Sequence, residues 1–308
     1  MLPWPGVPGY LPPMQLDPDI EDLFLRQPLL AALPRAQWSV TRLPGLTNRS
    51  YRLMGAGADY VLRWPGAGGR HYLDRGAEIA AQAKMAKIGI APPLLAADAE
   101  IGWQISEFLA DASTLTASDL ASPAILDKVA GLLRRLHGSG VNFPAKQSPE
   151  AAIDTYLKLT KRPDLVAARR RLEPVFAALK RRPLPVAPCH IDPNPANFLL
   201  LPNGSLRLID WEFAAMSDPM WDVAALGLSG ELAPAQVEQL LAATFGADQS
   251  ARFHLFQMAL ELVAASWAIA EITLGNRAPE VAILPEQYLA RLERRWSDPS
   301  LARHLSLA

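Results

Sequence analysis

Cysteine is nearly missing from this chain. A single residue, Cys189, excludes an internal disulfide framework, and the composition fits a reducing compartment such as the cytoplasm. An excess of one charge is missing too. Thirty Lys and Arg stand against 31 Asp and Glu, for a formal net charge of −1. No global field favours nucleic acid or an anionic membrane surface, so binding to neither is expected. The first residues lack the basic and apolar regions of a secretory signal. A continuous apolar run of about 18 residues is absent as well, so no membrane insertion is expected. Histidine is scarce, at five residues, and no second histidine cluster supports a hydrolytic metal centre.

Proline, by contrast, is abundant, with 28 in 308 residues. Much of it punctuates loops. Half the residues are apolar, enough for a sizeable core in one large or two modest domains. Residues 1–34 read as a proline-rich arm, anchored by Trp4 and Tyr10, and a short helix from Asp19 to about Leu33. Residues 35–110 are β-rich. WSVTRL and SYRLM flank the turn LPGLTNR, ADYVLRW runs into a glycine-rich turn, and GWQISEFL is a further strand. Between them, residues 74–88 carry helical periodicity, closed by Gly89. The polar segment DASTLTASDL marks the lobe boundary. Residues 111–308 are mainly helical. ILDKVAGLLRRLHGSG is amphipathic, PDLVAARRRLEPVFAALKRR reads as one long helix, and 253–274 as a long apolar one. Strands first and helices later predict an α+β protein with two lobes.

The stretch CHIDPNPANFLL, residues 189–200, sets polar groups in a proline-stiffened loop between two apolar runs. Asp-Pro and Asn-Pro pairs favour turns without any chemistry, so a structural turn is one reading. Asp210 weighs against it. It stands thirteen residues after Asn197, at the end of the short strand SLRLID. Phosphoryl transfer needs such a set. One carboxylate receives the proton of the acceptor hydroxyl, while an Asn and a second carboxylate hold Mg²⁺ against nucleotide phosphates. Pro193 and Pro195 restrict the backbone around Asp192 and Asn197. Cys189 reads as a small core hydrophobe rather than a nucleophile. His137, near a helix C-terminus, reads as a packing or helix-dipole residue.

The pattern His190-x-Asp192-x4-Asn197, then Ile209-Asp210-Trp211-Glu212, then Asp218-Pro219-x-x-Asp222-Val223-Ala224 resembles a known family. It is similar to the choline/ethanolamine kinase branch of the aminoglycoside phosphotransferase-like superfamily. The resemblance implies a two-lobed protein-kinase-like fold, with a small β-rich N-terminal lobe that binds ATP and a larger helical C-terminal lobe. It implies Asp192 as catalytic base, with His190 beside it as a support of the loop. It implies Asn197 and Asp210 as Mg²⁺ ligands and Asp222 as a structural support. LPGLTNRSYRL resembles the family's phosphate-covering turn, which brings Gly45, Asn48, Arg49 and Ser50 towards ATP. Arg63 falls where protein kinases carry their strand lysine, with Glu78 as its partner on the next helix. A guanidinium grips phosphate bidentately and keeps its charge. ISEFLA resembles the linker strand whose backbone meets adenine, which singles out Glu107 and Leu109.

The acceptor implied is a small-molecule alcohol, choline or a related amino alcohol. In choline kinases a Trp-x-x-Trp pair boxes the ammonium by cation–π contact. Here Trp267 matches the second position and Ala264 occupies the first. Trp211, Glu212 and Trp221 are further candidates on the acceptor side. Thiamine, aminoglycosides and amino sugars are alternative acceptors. A non-catalytic nucleotide-binding pseudokinase and a metal-dependent hydrolase are the rivals of other classes.

Overall fold

The computed structural model describes residues 16–308 except Leu46, Ala67 and Ala247. The arm residues Trp4 and Tyr10 lie outside the described residues.

Two short helices open the described chain, α1 (Pro18–Arg26) and α2 (Pro28–Ala31). One helix was expected here. Pro28 has no N–H to continue α1, so the chain breaks at Gln27 and restarts. The strands β1 (Ser39–Leu43), β2 (Arg49–Gly55) and β3 (Ala58–Trp64) form a meander. After it come helix α3 (Arg75–Lys87) and strands β4 (Leu94–Ala97) and β5 (Gln104–Glu107). The antiparallel sheet has the order β1-β2-β3-β5-β4. Alternation puts Tyr51, Leu53, Leu62, Trp64 and Ile105 into a first core with Ile20, Phe24 and Leu30 of the two helices. Trp38 joins them, its indole N–H donating to the Leu30 carbonyl at 3.0 Å.

A second, larger core begins beyond the sheet. Strand β6 (Ser113–Thr114) precedes helices α4 (Pro123–His137), α5 (Pro149–Thr160), α6 (Pro163–Arg171) and α7 (Glu173–Arg181). The last two were expected as one helix. Pro174 forbids that, because its ring excludes the helical hydrogen bond of its own position. Four short strands follow: β7 (Ala187–Cys189), β8 (Phe198–Leu200), β9 (Leu206–Leu208) and β10 (Ala215–Ser217). They pair as β10-β7 and as β6-β8-β9, and the turns between them present the polar residues of the 189–222 region. Helices α8 (Met220–Ser229), α9 (Pro234–Phe245) and α10 (Ser250–Thr273) then build the body. It closes with α11 (Pro279–Ala282), α12 (Leu284–Trp296) and α13 (Leu301–Leu307).

Helix α10 is the axis of this lobe, packed on α5, α8 and α12. It is long and apolar enough to cross a membrane, yet 78% of its apolar window is buried inside the protein. No continuous apolar run had been visible because Arg252, Glu261 and Glu271 interrupt it. All three are buried and paired, Arg252 with Asp218 and Glu261 with Arg295 at 2.8 Å. Glu271 accepts from Tyr72. Helix α3 follows the N-terminal strands in sequence, but its buried Ala81 and Met85 belong to the larger core. It therefore bridges the two lobes.

Candidate active site

The loop after β7 begins with a strained turn. Ile191 has φ 75°, a left-handed value rare for a β-branched residue, and Asp210 has φ 69°. Such conformations cost about 1–3 kcal/mol each and persist where surrounding bonds over-determine them. Here the bonds are visible. The buried Asp222 carboxylate, on the first turn of α8, accepts the N–H of His190 at 3.0 Å and of Ile191 at 2.7 Å. Each charge-assisted bond of this kind contributes about 1.5–3 kcal/mol. His190 is wholly buried, edge-on to Trp211 at 4.7 Å between centroids. Burial lowers its pKa in spite of the Asp222 charge, so the ring is neutral and donates Nε2–H to the Ile209 carbonyl at 2.9 Å. One side chain thus ties the residue before Asp210 to the loop that carries Asp192. The Ile209 N–H donates to the Asn197 carbonyl at 3.0 Å, which brings the β7–β8 loop and the end of β9 together. Asn197 Nδ2 donates to the Asp192 carbonyl at 2.9 Å.

Asp192 opens to the cleft and is exposed, yet protein crowds it on several sides. That desolvation, with the Asp210 and Glu212 charges nearby, pushes its pKa up to about 7. Desolvation and Glu212 likewise raise Asp210, although Arg63 pulls it back. Burial would raise Glu212 too, but the Arg63 charge and the Asn48, Arg75 and Thr47 contacts overcome it and hold Glu212 low.

Those contacts form the roof. Arg63, on β3, makes an ion pair with Glu78 of α3 and reaches Asp210 Oδ1 at 2.5 Å and Glu212 Oε2 at 2.8 Å. Arg75 reaches Glu78 at 2.7 Å and Glu212 at 3.4 Å. Asn48 and Thr47, in the β1–β2 turn, donate to Glu212 at 2.6 and 2.9 Å. Gln104 of β5 donates to Glu78 at 2.5 Å. Gly45 belongs to the same turn, where a Cβ would stand 2.9 Å from the Asn48 carbonyl oxygen. Ser50 sits on β2 directly opposite Arg63. Arg49 turns away and pairs with Asp17 at 2.9 Å. Glu107 ends β5, its N–H taken by the Pro93 carbonyl at 3.0 Å, and Leu109 lies two residues on, in the connection to the second lobe.

Residues 39–256 match the phosphotransferase enzyme family, APH. The chain belongs to this family. Among relatives of the phosphotransferase, Protein LicA of Haemophilus influenzae is 30% identical over 190 residues. That match spans 59% of this chain and only 55% of the relative's length. A choline/ethanolamine kinase family protein from Mesorhizobium loti has a similar structure, with a TM-score of 0.79 and 29% identity, over 94% of this chain and 97% of that one. Choline kinase LicA from Streptococcus pneumoniae also superposes at a TM-score of 0.79, at 23% identity, over 90% of this chain and 99% of that one, which speaks for the fold. The fold is thus the two-lobed, protein-kinase-like α+β architecture of choline kinases.

The acceptor-side candidates divide. Glu212 lies in the cleft as described. Trp211 is fully buried and donates its indole N–H to the Leu208 carbonyl at 3.0 Å. Trp221 is 2% exposed in the α8 core. Neither indole reaches the cleft, because their apolar bulk is worth more buried than displayed. Trp267 is half-buried and donates to the Tyr72 hydroxyl at 3.2 Å. That hydroxyl donates to the buried Glu271 at 2.7 Å. Tyr72 also stacks on Phe213 at 6.2 Å and meets Tyr156 edge-on at 5.5 Å. Burial and the Glu271 charge push the Tyr72 pKa up, so it remains a donor. Burial, with the Glu212, Glu271 and Asp192 charges, raises the Tyr156 pKa as well. Sequence reasoning missed Thr47, Tyr72, Arg75, Gln104, Tyr156, Phe213 and Glu271. Arg75 carried a signal, its i,i+3 spacing to Glu78 on one helix face. The aromatics Tyr72, Tyr156 and Phe213 carried none, since they come from three separate segments.

Proposed function

We propose that this phosphotransferase is an Mg-ATP-dependent kinase of a small hydroxylated cation, choline or a related amino alcohol. The observation that carries the reading is the convergence of Asp192, Asn197 and Asp210 in one cleft beneath Arg63. Asp192 receives the proton of the acceptor hydroxyl and orients its oxygen, and a pKa of about 7 suits a base working near neutrality. Asn197 and Asp210 offer hard oxygen ligands, the donor set that Mg²⁺ takes. Bound there, Mg²⁺ would neutralise charge on the nucleotide phosphates. Arg63, held by Glu78, points its guanidinium at the same place and is suited to the α- and β-phosphates. The turn holding Gly45, Asn48 and Ser50 would face the phosphates of a bound nucleotide, and the segment from Glu107 to Leu109 would lie towards its adenine.

The charge of the cleft favours a cation as acceptor. Asp192, Asp210, Glu212, Glu78 and Glu271 outnumber Arg63 and Arg75. The faces of Tyr72, Tyr156, Phe213 and Trp267, backed by the buried Glu271, suit an ammonium group by cation–π and ion pairing. The names of the relatives from Mesorhizobium loti and Streptococcus pneumoniae agree with that acceptor class. A reducing, cytoplasmic setting accords with ATP as donor.

The test is ADP release from Mg-ATP over a panel of choline, ethanolamine, thiamine, an aminoglycoside and amino sugars. Choline or ethanolamine should drive turnover, and Asp192→Asn should lower it by about 10²–10⁴-fold with nucleotide binding retained. Near-normal turnover in that variant would remove Asp192 from the role of base. Turnover on a sugar or thiamine alone would discard the ammonium pocket. ATP binding without transfer to any acceptor would favour the pseudokinase.

A further inference from the structure

A second cleft opens in the helical lobe, lined by residues of α8, α9, α10 and α12. Its volume is about 580 Å³, within the roughly 300–1,000 Å³ that small-molecule sites occupy. None of its lining residues belongs to the cleft that holds Asp192 and Arg63. Leu228, Leu232, Val237 and Leu241 give it an apolar side. Helix α12 brings three guanidiniums to it, Arg291, Arg294 and Arg295. Arg291 pairs with Glu231 at 3.3 Å and Arg295 with Glu261 Oε1 at 2.8 Å. That leaves the exposed Arg294 unpaired among the described residues.

Glu261 lines the same cleft from α10 and is 0% exposed. Its Oε2 has no hydrogen-bond partner among the described residues. A buried carboxylate oxygen without a donor is rare and costly, so this one calls for an N–H or O–H. Burial raises the Glu261 pKa, and the charges of all three guanidiniums oppose it. The rest of the lining excludes a ligand of one charge. A simple anion drawn to Arg294 would also meet Glu238 and Asp298, and a simple cation drawn to Glu261 would meet the guanidiniums. A water molecule at Oε2 would satisfy that oxygen but neither Arg294 nor the apolar side.

We propose that this cleft binds a small zwitterion with an apolar body, the class of the apolar α-amino acids. The ligand's ammonium donates to Glu261 Oε2, its carboxylate pairs with Arg294, and its side chain packs on Leu232, Val237 and Leu241. Gln257, one turn before Glu261 on α10, adds an amide to the lining. The site is independent of the phosphate acceptor, so it stands whichever alcohol the enzyme uses.

The experiment is titration calorimetry of the full chain with L-phenylalanine and L-leucine as probes. Phenylpropionate lacks the ammonium, phenylethylamine lacks the carboxylate, and glycine lacks the apolar body. The two amino acids should each saturate a single site, and the three analogues should bind about tenfold or more weakly. Arg294→Gln changes an exposed side chain, so it should fold normally and leave turnover unchanged. It should weaken L-phenylalanine about tenfold and leave phenylethylamine unaffected. Glu261→Gln should weaken L-phenylalanine and leave phenylpropionate unaffected. If that variant does not fold, Arg294→Gln decides. Saturating choline should not displace L-phenylalanine. Displacement by choline would place the amino acid in the acceptor site and overturn the proposal. So would the absence of saturable binding at millimolar concentration, equal binding of the analogues, or indifference to Arg294→Gln.

Discussion

At the residue scale, one carboxylate carries a conflict between stability and chemistry. Asp192 has a pKa of about 7 in the folded protein against 3.8 in the unfolded chain. A raised carboxyl pKa means the folded state binds the proton more tightly. Its contribution to stability is therefore greatest below about pH 4, declines as pH rises towards about 7, and is flat above that. Replacing Asp192 with Asn removes the titration. In EDTA and without nucleotide, the Tm of Asp192→Asn should exceed that of the wild type by a margin that widens between pH 4 and pH 7. A margin independent of pH would mean that the cleft does not crowd Asp192 as described. Asp192, Asn197 and Asp210 were readable from spacing alone, because a rigid loop and a short hairpin keep them together over a short stretch of chain. Trp211 and Trp221 misled for a physical reason. A tryptophan beside a polar motif looks like a ligand contact, but both side chains are buried in the core.

At the scale of elements, prolines decided where helices stop. Pro28 and Pro174 broke two helices that apolar periodicity joined, and both rules were available in the sequence. Helix crossings were not available. Helix α8 approaches α10 at Gly227, where an added Cβ would stand 2.6 Å from the Phe253 ring and 3.0 Å from Gln257. Phe253 is 1% exposed and has nowhere to go. Gly227→Val should therefore cost about 1–3 kcal/mol, read as a lower urea midpoint at unchanged slope. An unchanged midpoint would mean that α10 shifts freely. The first turn of α8 presents Asp222 to the His190 and Ile191 N–H groups.

At the scale of the whole molecule, Glu212 joins the lobes. It leaves the C-terminal lobe just after Asp210 and accepts from Thr47, Asn48, Arg63 and Arg75. Removing one member of a buried ionic network costs about 3–5 kcal/mol, because the remaining charges lose their partner. Glu212→Ala should lower the Tm and weaken ATP binding more than acceptor binding, measured by calorimetry. Equal weakening of both would place Glu212 outside the nucleotide side of the cleft. Helix α3 acts in the same direction, carrying Arg75 and Glu78 from the sheet onto the larger core.

The sequence by itself determined the division into a strand-rich first part and a helical second part, and it singled out Asp192, Asn197 and Asp210. Both depend on local rules, the periodicity of side chains and the stiffness of proline. It also named the partners Arg63 and Glu78, through likeness to a known architecture. Only the tertiary structure decided which side chains meet across long separations. Tyr72 and Glu271 are 199 positions apart in the chain, and Asn48 and Glu212 are 164 apart. His137 joined Asp222 across 85 residues and left behind its local role at a helix end. Such pairs depend on how two lobes close on one helix, and no spacing along the chain encodes that closure.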